Sequence, residues 1–252
     1  MRMHILSGGR LCYRRSIYYP SASRDETIEL PVTCVLVKHK QGLVLFDTGC
    51  HPTVSTNAEA RWSGLARLMP PIMAAGDAVI AQLPKAGVTA EDVDVAACSH
   101  LHPDHCGCNA FFPRAAILAQ AAEIAAAYAE NAAGQGYLSL EFDATPLTPV
   151  DGERDLFGDG RLTLLPLSGH TPGSMGMHVV LNRDGAFLLA SDAVAVRAHL
   201  DQRYAPKNTW NVDAALASIG RVAGFQRDGA TVLFGHDDEQ WRTLRTGEAF
   251  YA

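Results

Sequence analysis

Between Ser99 and Gly107 the chain reads Ser-His-Leu-His-Pro-Asp-His-Cys-Gly, which places His100, His102, Asp104 and His105 within six residues. Three imidazoles and a carboxylate are expensive to bury as mere structure, because each needs its own hydrogen-bond partner in one small volume. A metal cation satisfies them together. Alternation along an extended segment puts His100 and His102 on one side, and Pro103 stops the strand so that Asp104 and His105 face a second direction. Two pairs of ligands pointing two ways suggest two adjacent cations, each needing further ligands from elsewhere in the chain.

Those further ligands sit in comparable places. Short β-branched runs alternate with helical patterns, as in mixed α/β architecture. Residues 32–39 and 42–49 read as a hairpin, 57–86 as helix broken at Pro70-Pro71, and 93–100 as a strand. Residues 115–133 begin as a strand and become a helix, and 161–170 read as another strand. A second hairpin over 176–182 and 186–193, a helix over 212–224 and a strand over 230–236 complete the pattern. Asp47, His100, His170, Asp192 and His236 each end an apolar strand, where a loop can turn them into a shared cleft. With Asp192 bridging through its two oxygens, the set closes as His100, His102 and His170 on one ion and Asp104, His105 and His236 on the other. Nitrogen and oxygen donors without thiolate favour two Zn²⁺, and Fe, Mn or Co fit as well. A coordination position left for water or hydroxide makes such a site catalytic.

No linker divides the 252 residues, so one αββα sandwich is expected over 1–252, its halves meeting where prolines and glycines concentrate at 140–160. With 21 basic against 27 acidic residues and a net charge of −6, the chain has no surplus to neutralise nucleic acid or an anionic membrane. The expected partner is a small molecule, and the expected state a monomer or homodimer. Six scattered cysteines read as reduced thiols, and the N-terminus lacks a secretory h-region, so a cytoplasmic location is expected.

The segment HLHPDH, with Asp47 in FDTG, His170 in GHTPG, Asp192 in SDA and His236 in GHD, resembles the signature of the metallo-β-lactamase superfamily. Within it, the chain from the hairpin at 31–49 to GHDDEQ at 235–240 resembles the N-acyl homoserine lactonase family. The resemblance implies an αββα fold, a dinuclear zinc site on the seven ligands above, and quorum-quenching hydrolysis of a lactone by a hydroxide held between the ions. It also implies that Asp104 passes a proton to the leaving group. The ending TGEAFY resembles that of 4-pyridoxolactonases, which makes that lactone the alternative substrate. A glyoxalase II-like thioesterase shares the motif but calls for basic residues to hold a glutathione carboxylate, and no such set is identifiable.

Two positions depart from the lactonase pattern. Relatives commonly carry a tyrosine three residues after the bridging aspartate, where this chain has Ala195, and a bulky aromatic where it has Pro103. Tyr204 is the candidate to replace that hydroxyl, provided the intervening loop folds back over the cleft. Trp62, Leu65, Leu68, Met69 and Ile72 recur at helical spacing, which reads either as packing or as a lid over the cleft. Asp47 reads as a hydrogen-bonding support, Cys106 and Cys108 as packing, and Gly8-Gly9 and residues 158–161 as turns. His4, His39, His51, His178 and His199 read as ordinary core or surface residues.

Overall fold

The computed structural model describes residues 1–252 and stacks a six-stranded sheet on a five-stranded one. The first sheet runs β1 (Arg2–Arg14), β2 (Thr27–His39), β3 (Gly42–Phe46), β4 (Val95–Ala97), β5 (Ala116–Gln120) and β6 (Leu147–Val150), in that spatial order. The second contains β7 (Arg154–Asp155), β8 (Leu162–Pro166), β9 (Met175–Val180), β10 (Ala186–Ser191) and β11 (Thr231–Phe234), ordered 11-10-9-8-7. The chain passes from one sheet to the other between Val150 and Arg154, inside the expected boundary.

Strand alternation assigns the layers. Val35, Val37, Val44, Phe46 and Leu118 of the first sheet meet Leu162, Leu164, Met177, Val179 and Leu189 of the second in the central core. The intervening residues Cys34, Leu36, Leu45 and Ile117 face outward, into a layer that includes Val79, Leu83, Ala127 and Phe142. On the other outer face Leu188, Ala190 and Val232 pack against Ile219, Val222 and Ala223 of the helix Val212–Arg227. Apolar residues on both faces of a strand produce the continuous hydrophobic runs seen in the sequence. The αββα sandwich follows.

Two sequence expectations are corrected and one open choice is decided. Gly8-Gly9 is not a turn but the irregularity within β1, where the register with β2 shifts between Ser7 and Arg10. The stretch 57–86 forms only the short helices Val54–Trp62, Leu65–Leu68 and Val79–Gln82 with single turns between them. Within it Trp62 is buried in a small core with Leu11, Val32, Val54, Met69 and Met73, and its indole N–H donates to Glu141 at 3.0 Å. Trp62 is thus a packing residue rather than a lid over the cleft.

Parallel pairing gathers the loops that matter. β3, β4, β5 and β6 are mutually parallel, as are β10 and β11, and β8 runs with β10 because both are antiparallel to β9. The carboxyl ends of β3, β4 and β5 therefore share one edge, and those of β8, β10 and β11 share another.

Candidate metal centre

His100 lies in the bend after β4, His102 is extended, and Pro103 opens the single helical turn Pro103–Cys106 that carries Asp104 and His105. Proline at the first helical position suits that change of direction, since its missing N–H would have no helical partner there. His100 Nε2 lies 3.1 Å from His102 Nδ1, which lies 3.1 Å from His170 Nε2. Nitrogens bound at 2.0–2.1 Å to a tetrahedral ion are separated by about 3.4 Å, so this triangle has the size of a coordination face. On the other side, His105 Nε2 lies 3.3 Å from Asp104 Oδ2 and 3.3 Å from Asp192 Oδ1, and His236 Nε2 lies 3.0 Å from Asp192 Oδ1. Asp192 turns its other oxygen, Oδ2, to within 3.5 Å of His170 Nε2. All seven residues singled out from the sequence are brought together in the expected two sets, with Asp192 between them.

The donor set fits two cations. His105 Nε2, His236 Nε2 and Asp192 Oδ1 are buried and close, yet none makes a hydrogen bond, so their lone pairs converge on common points rather than on one another. Four of the five rings are aimed by their other nitrogen, while His170 Nδ1 is buried without a partner. His105 Nδ1 is 2.9 Å from Asp47 Oδ2, His236 Nδ1 is 2.8 Å from the Pro31 carbonyl, and His100 Nδ1 is 3.0 Å from Ser99 Oγ. For His102 the orienting partner is the Gln135 carbonyl, 2.9 Å from Nε2. Such supports fix the tautomer that leaves the other nitrogen free to ligate.

The electrostatics differ between the two sets. Burial, reinforced by the neighbouring imidazoles, holds His100 well below its ordinary value, and burial takes His170 down to about 4. Burial opposes charge at His105 as well, but Asp104, Asp47 and Asp192 outweigh it and raise this imidazole. Asp192 is buried too, yet His236, His105 and His170 hold its carboxyl well below the usual range. The carboxylate side thus demands positive charge, which a dication supplies.

Asp47 has the supporting role read from the sequence. It accepts from the Ser99 N–H at 2.6 Å, the Ser99 hydroxyl at 2.9 Å and the Ser191 hydroxyl at 3.2 Å, besides its contact with His105. Tyr204, in contrast, is not brought to the ligands. Its hydroxyl donates to the Tyr18 carbonyl at 2.8 Å and its ring stands edge-on to His199, so the loop after Asp192 turns it away from the cleft. Tyr18 instead packs in one cluster with Ala195 and meets His236 edge-on. Its position was not legible in the sequence, because β1 and the turn after it carry no motif. Cys106 and Cys108 are buried free thiols outside both ligand sets, as expected. His4, His39, His51, His178 and His199 also stand outside the two sets.

Residues 27–251 match the family model described as the metallo-beta-lactamase superfamily. The chain is 29% identical to N-acyl homoserine lactonase AttM of Azorhizobium caulinodans, over all of this chain and 98% of that one. It is 31% identical to N-acyl homoserine lactonase AiiB of Agrobacterium fabrum, over 89% of this chain and 86% of that one. Among solved structures, an N-acyl homoserine lactone hydrolase with N-hexanoyl-L-homoserine at its catalytic metal center superposes with a TM-score of 0.88. That pair is 24% identical, covering 99% of this chain and 98% of the other. AidC, described as a dizinc quorum-quenching lactonase, superposes with a TM-score of 0.69 at 19% identity, over 94% and 87% of the two chains. With seven histidines and aspartates able to hold metal in motif order at the facing edges of two sheets, the chain belongs to the metallo-β-lactamase superfamily, in the branch of the N-acyl homoserine lactonases.

Proposed function

We propose that the chain is a metal-dependent lactonase that hydrolyses the ester bond of N-acyl homoserine lactones, with two zinc ions as its cofactor. The observation that carries this reading is Asp192 facing both ligand sets through separate oxygens. Two cations held by these sets would polarise an ester carbonyl and lower the pKa of a bound water toward neutrality. The chain's own residues supply the rest. Asp47, Ser99, Pro31 and Gln135 hold the imidazoles in their ligating orientation. Asp104 faces the ligand set through Oδ2, so its Oδ1 is available to take up a proton and deliver it to the leaving alkoxide. His102 alone of the seven is not fully buried, and it marks the side from which a substrate reaches the centre. Relatives named as homoserine lactonases over nearly the full chain support that substrate class. A cytoplasmic location belongs to the same proposal, since all six cysteines are free and suit a reducing compartment.

The test measures proton release by the wild type and Asp104→Asn on homoserine lactones of graded acyl length, 4-pyridoxolactone and an S-acyl glutathione. Metal content is measured on the same samples. Homoserine lactones should be turned over best, and Asp104→Asn should lose ~10²–10⁴-fold in rate while retaining part of its metal. Preference for pyridoxolactone or the thioester would overturn the substrate assignment.

A further inference from the structure

Glu123 belongs to neither ligand set, yet its side chain is fully enclosed, at 0% exposure. It sits in the first turn of the helix Ala121–Ala127, which begins where β5 ends, on the edge that also carries His100. Its two oxygens reach in two directions. Oε1 accepts from the Leu101 N–H at 2.9 Å, and Oε2 accepts from the Thr171 hydroxyl at 2.7 Å and the Gly173 N–H at 3.0 Å. Leu101 lies between His100 and His102, and Thr171 directly follows His170. One carboxylate therefore spans the two loops that supply the three-imidazole set, one loop from each sheet.

Backbone geometry shows how closely these loops are drawn together. A Cβ at Gly173 would fall 2.1 Å from the Glu123 backbone nitrogen, so only glycine allows this approach. The Thr171 hydroxyl is held further by Ser174 Oγ at 2.6 Å, and the Thr171 N–H donates to the same oxygen at 2.9 Å. None of the Glu123 hydrogen bonds reaches His105, Asp192 or His236, whose orienting contacts run through Asp47, Ser191 and Pro31. Ser99, which orients His100 and donates to Asp47, links the supports of the two sets, whereas the Glu123 contacts serve the three-imidazole set alone.

We propose that Glu123 is a positioning residue that ties the His100–His102 loop to the His170 loop and so sets the spacing of the three-imidazole position, leaving the Asp104, His105 and His236 position unaffected. This rests on the dinuclear reading above but not on the identity of the lactone. Glutamine at 123 replaces an acceptor oxygen with an amide donor that faces donors already in place, which leaves at least one buried group unsatisfied.

Metal-free wild type, Glu123→Gln and Thr171→Val are titrated with Zn²⁺ against a chromophoric chelator, and cobalt-loaded samples are compared by visible absorption. Wild type should take up two ions. Glu123→Gln should bind one of them ~10–100-fold more weakly, the size typical of lost support behind a ligand, while the other changes less than about twofold. Its residual cobalt spectrum should match that of His102→Ala, in which the same position is damaged directly. Thr171→Val should show a smaller loss at the same position, and it carries the test alone if Glu123→Gln does not fold. Unchanged affinities, or equal weakening of both ions, would overturn the proposal. A wild type that binds only one ion would overturn the dinuclear reading and the proposal with it.

Discussion

Asp47 and Ser191 both adopt left-handed backbone conformations, with φ of 60° and 44°. Such backbone costs a non-glycine residue on the order of 1–3 kcal/mol and persists only where its surroundings impose it. Here the surroundings are the His/Asp cluster: Asp47 aims His105, and Ser191 turns the chain so that Asp192 faces the cleft. The gathering of the seven histidines and aspartates was legible because such residues at the ends of apolar strands can be turned by loops into one cleft. Residues that merely support them carry no such mark. Glu123 reads in sequence as one charge interrupting an alanine-rich helix, and only the folded chain reveals its three buried donors. Tyr204 shows the opposite failure, since chain distance from Asp192 says nothing about which way a loop turns. Its hydroxyl is engaged by the Tyr18 carbonyl, so Tyr204→Phe should leave kcat within about twofold and lower stability by about 1 kcal/mol. Steady-state kinetics beside urea denaturation will check this, and a hundredfold fall in kcat at unchanged metal content would restore Tyr204 to the reaction.

At the scale of elements, both hairpins, the strand that turns into a helix after Gln120, and the long helix near the C-terminus were legible from period and turn residues. β1 was not. Its thirteen residues include Arg2, His4, Arg10 and Arg14 and two central glycines, and its strand character comes from pairing along β2 rather than from local propensity. The short helix Arg197–Gln202, which follows Asp192, carries a buried histidine. His199 is wholly buried within it, its ring stacked on Tyr18 and its Nε2 3.1 Å from the Tyr18 carbonyl. Burial lowers its pKa from 6.5 to about 4. The unfolded chain therefore binds a proton at His199 between those values while the native protein does not. The stabilisation is complete above about pH 6.5 and is lost as pH falls toward 4, by up to about 3 kcal/mol. In His199→Gln an amide N–H can still donate to the Tyr18 carbonyl but the titration is gone. Its unfolding free energy should fall less steeply between pH 6 and pH 4.5, by up to ~1.4 kcal/mol per pH unit. Equal slopes for the two proteins would exclude His199 as a source of acid sensitivity.

Considered whole, the molecule is two sheets whose apolar faces close on each other and whose polar edges meet at the ligands. His100, His102, Asp104 and His105 come from the first sheet, and His170, Asp192 and His236 from the second. Each ligand set draws on both, so ions bound there fasten the halves along the edge where several polar groups otherwise converge without hydrogen bonds. Metal removal should therefore act on stability as well as on activity. A site at a free-ion concentration of 100 times its dissociation constant contributes about 2.7 kcal/mol. Two such sites contribute about 5 kcal/mol, or roughly 10–20 °C in Tm for a chain of this size. Dialysis against a chelator should abolish lactone hydrolysis and lower the Tm by that amount, and two equivalents of Zn²⁺ per chain should restore both. Amide exchange should locate the change. Loops 99–107, 168–173 and 191–196 lie at the seam and should lose protection first, whereas β2, β3 and β9, central in their sheets, should keep theirs because the apolar core holds them without metal. A metal-free protein with unchanged Tm and unchanged protection in those loops would mean that the sandwich closes by its core alone and that the ions serve only the chemistry.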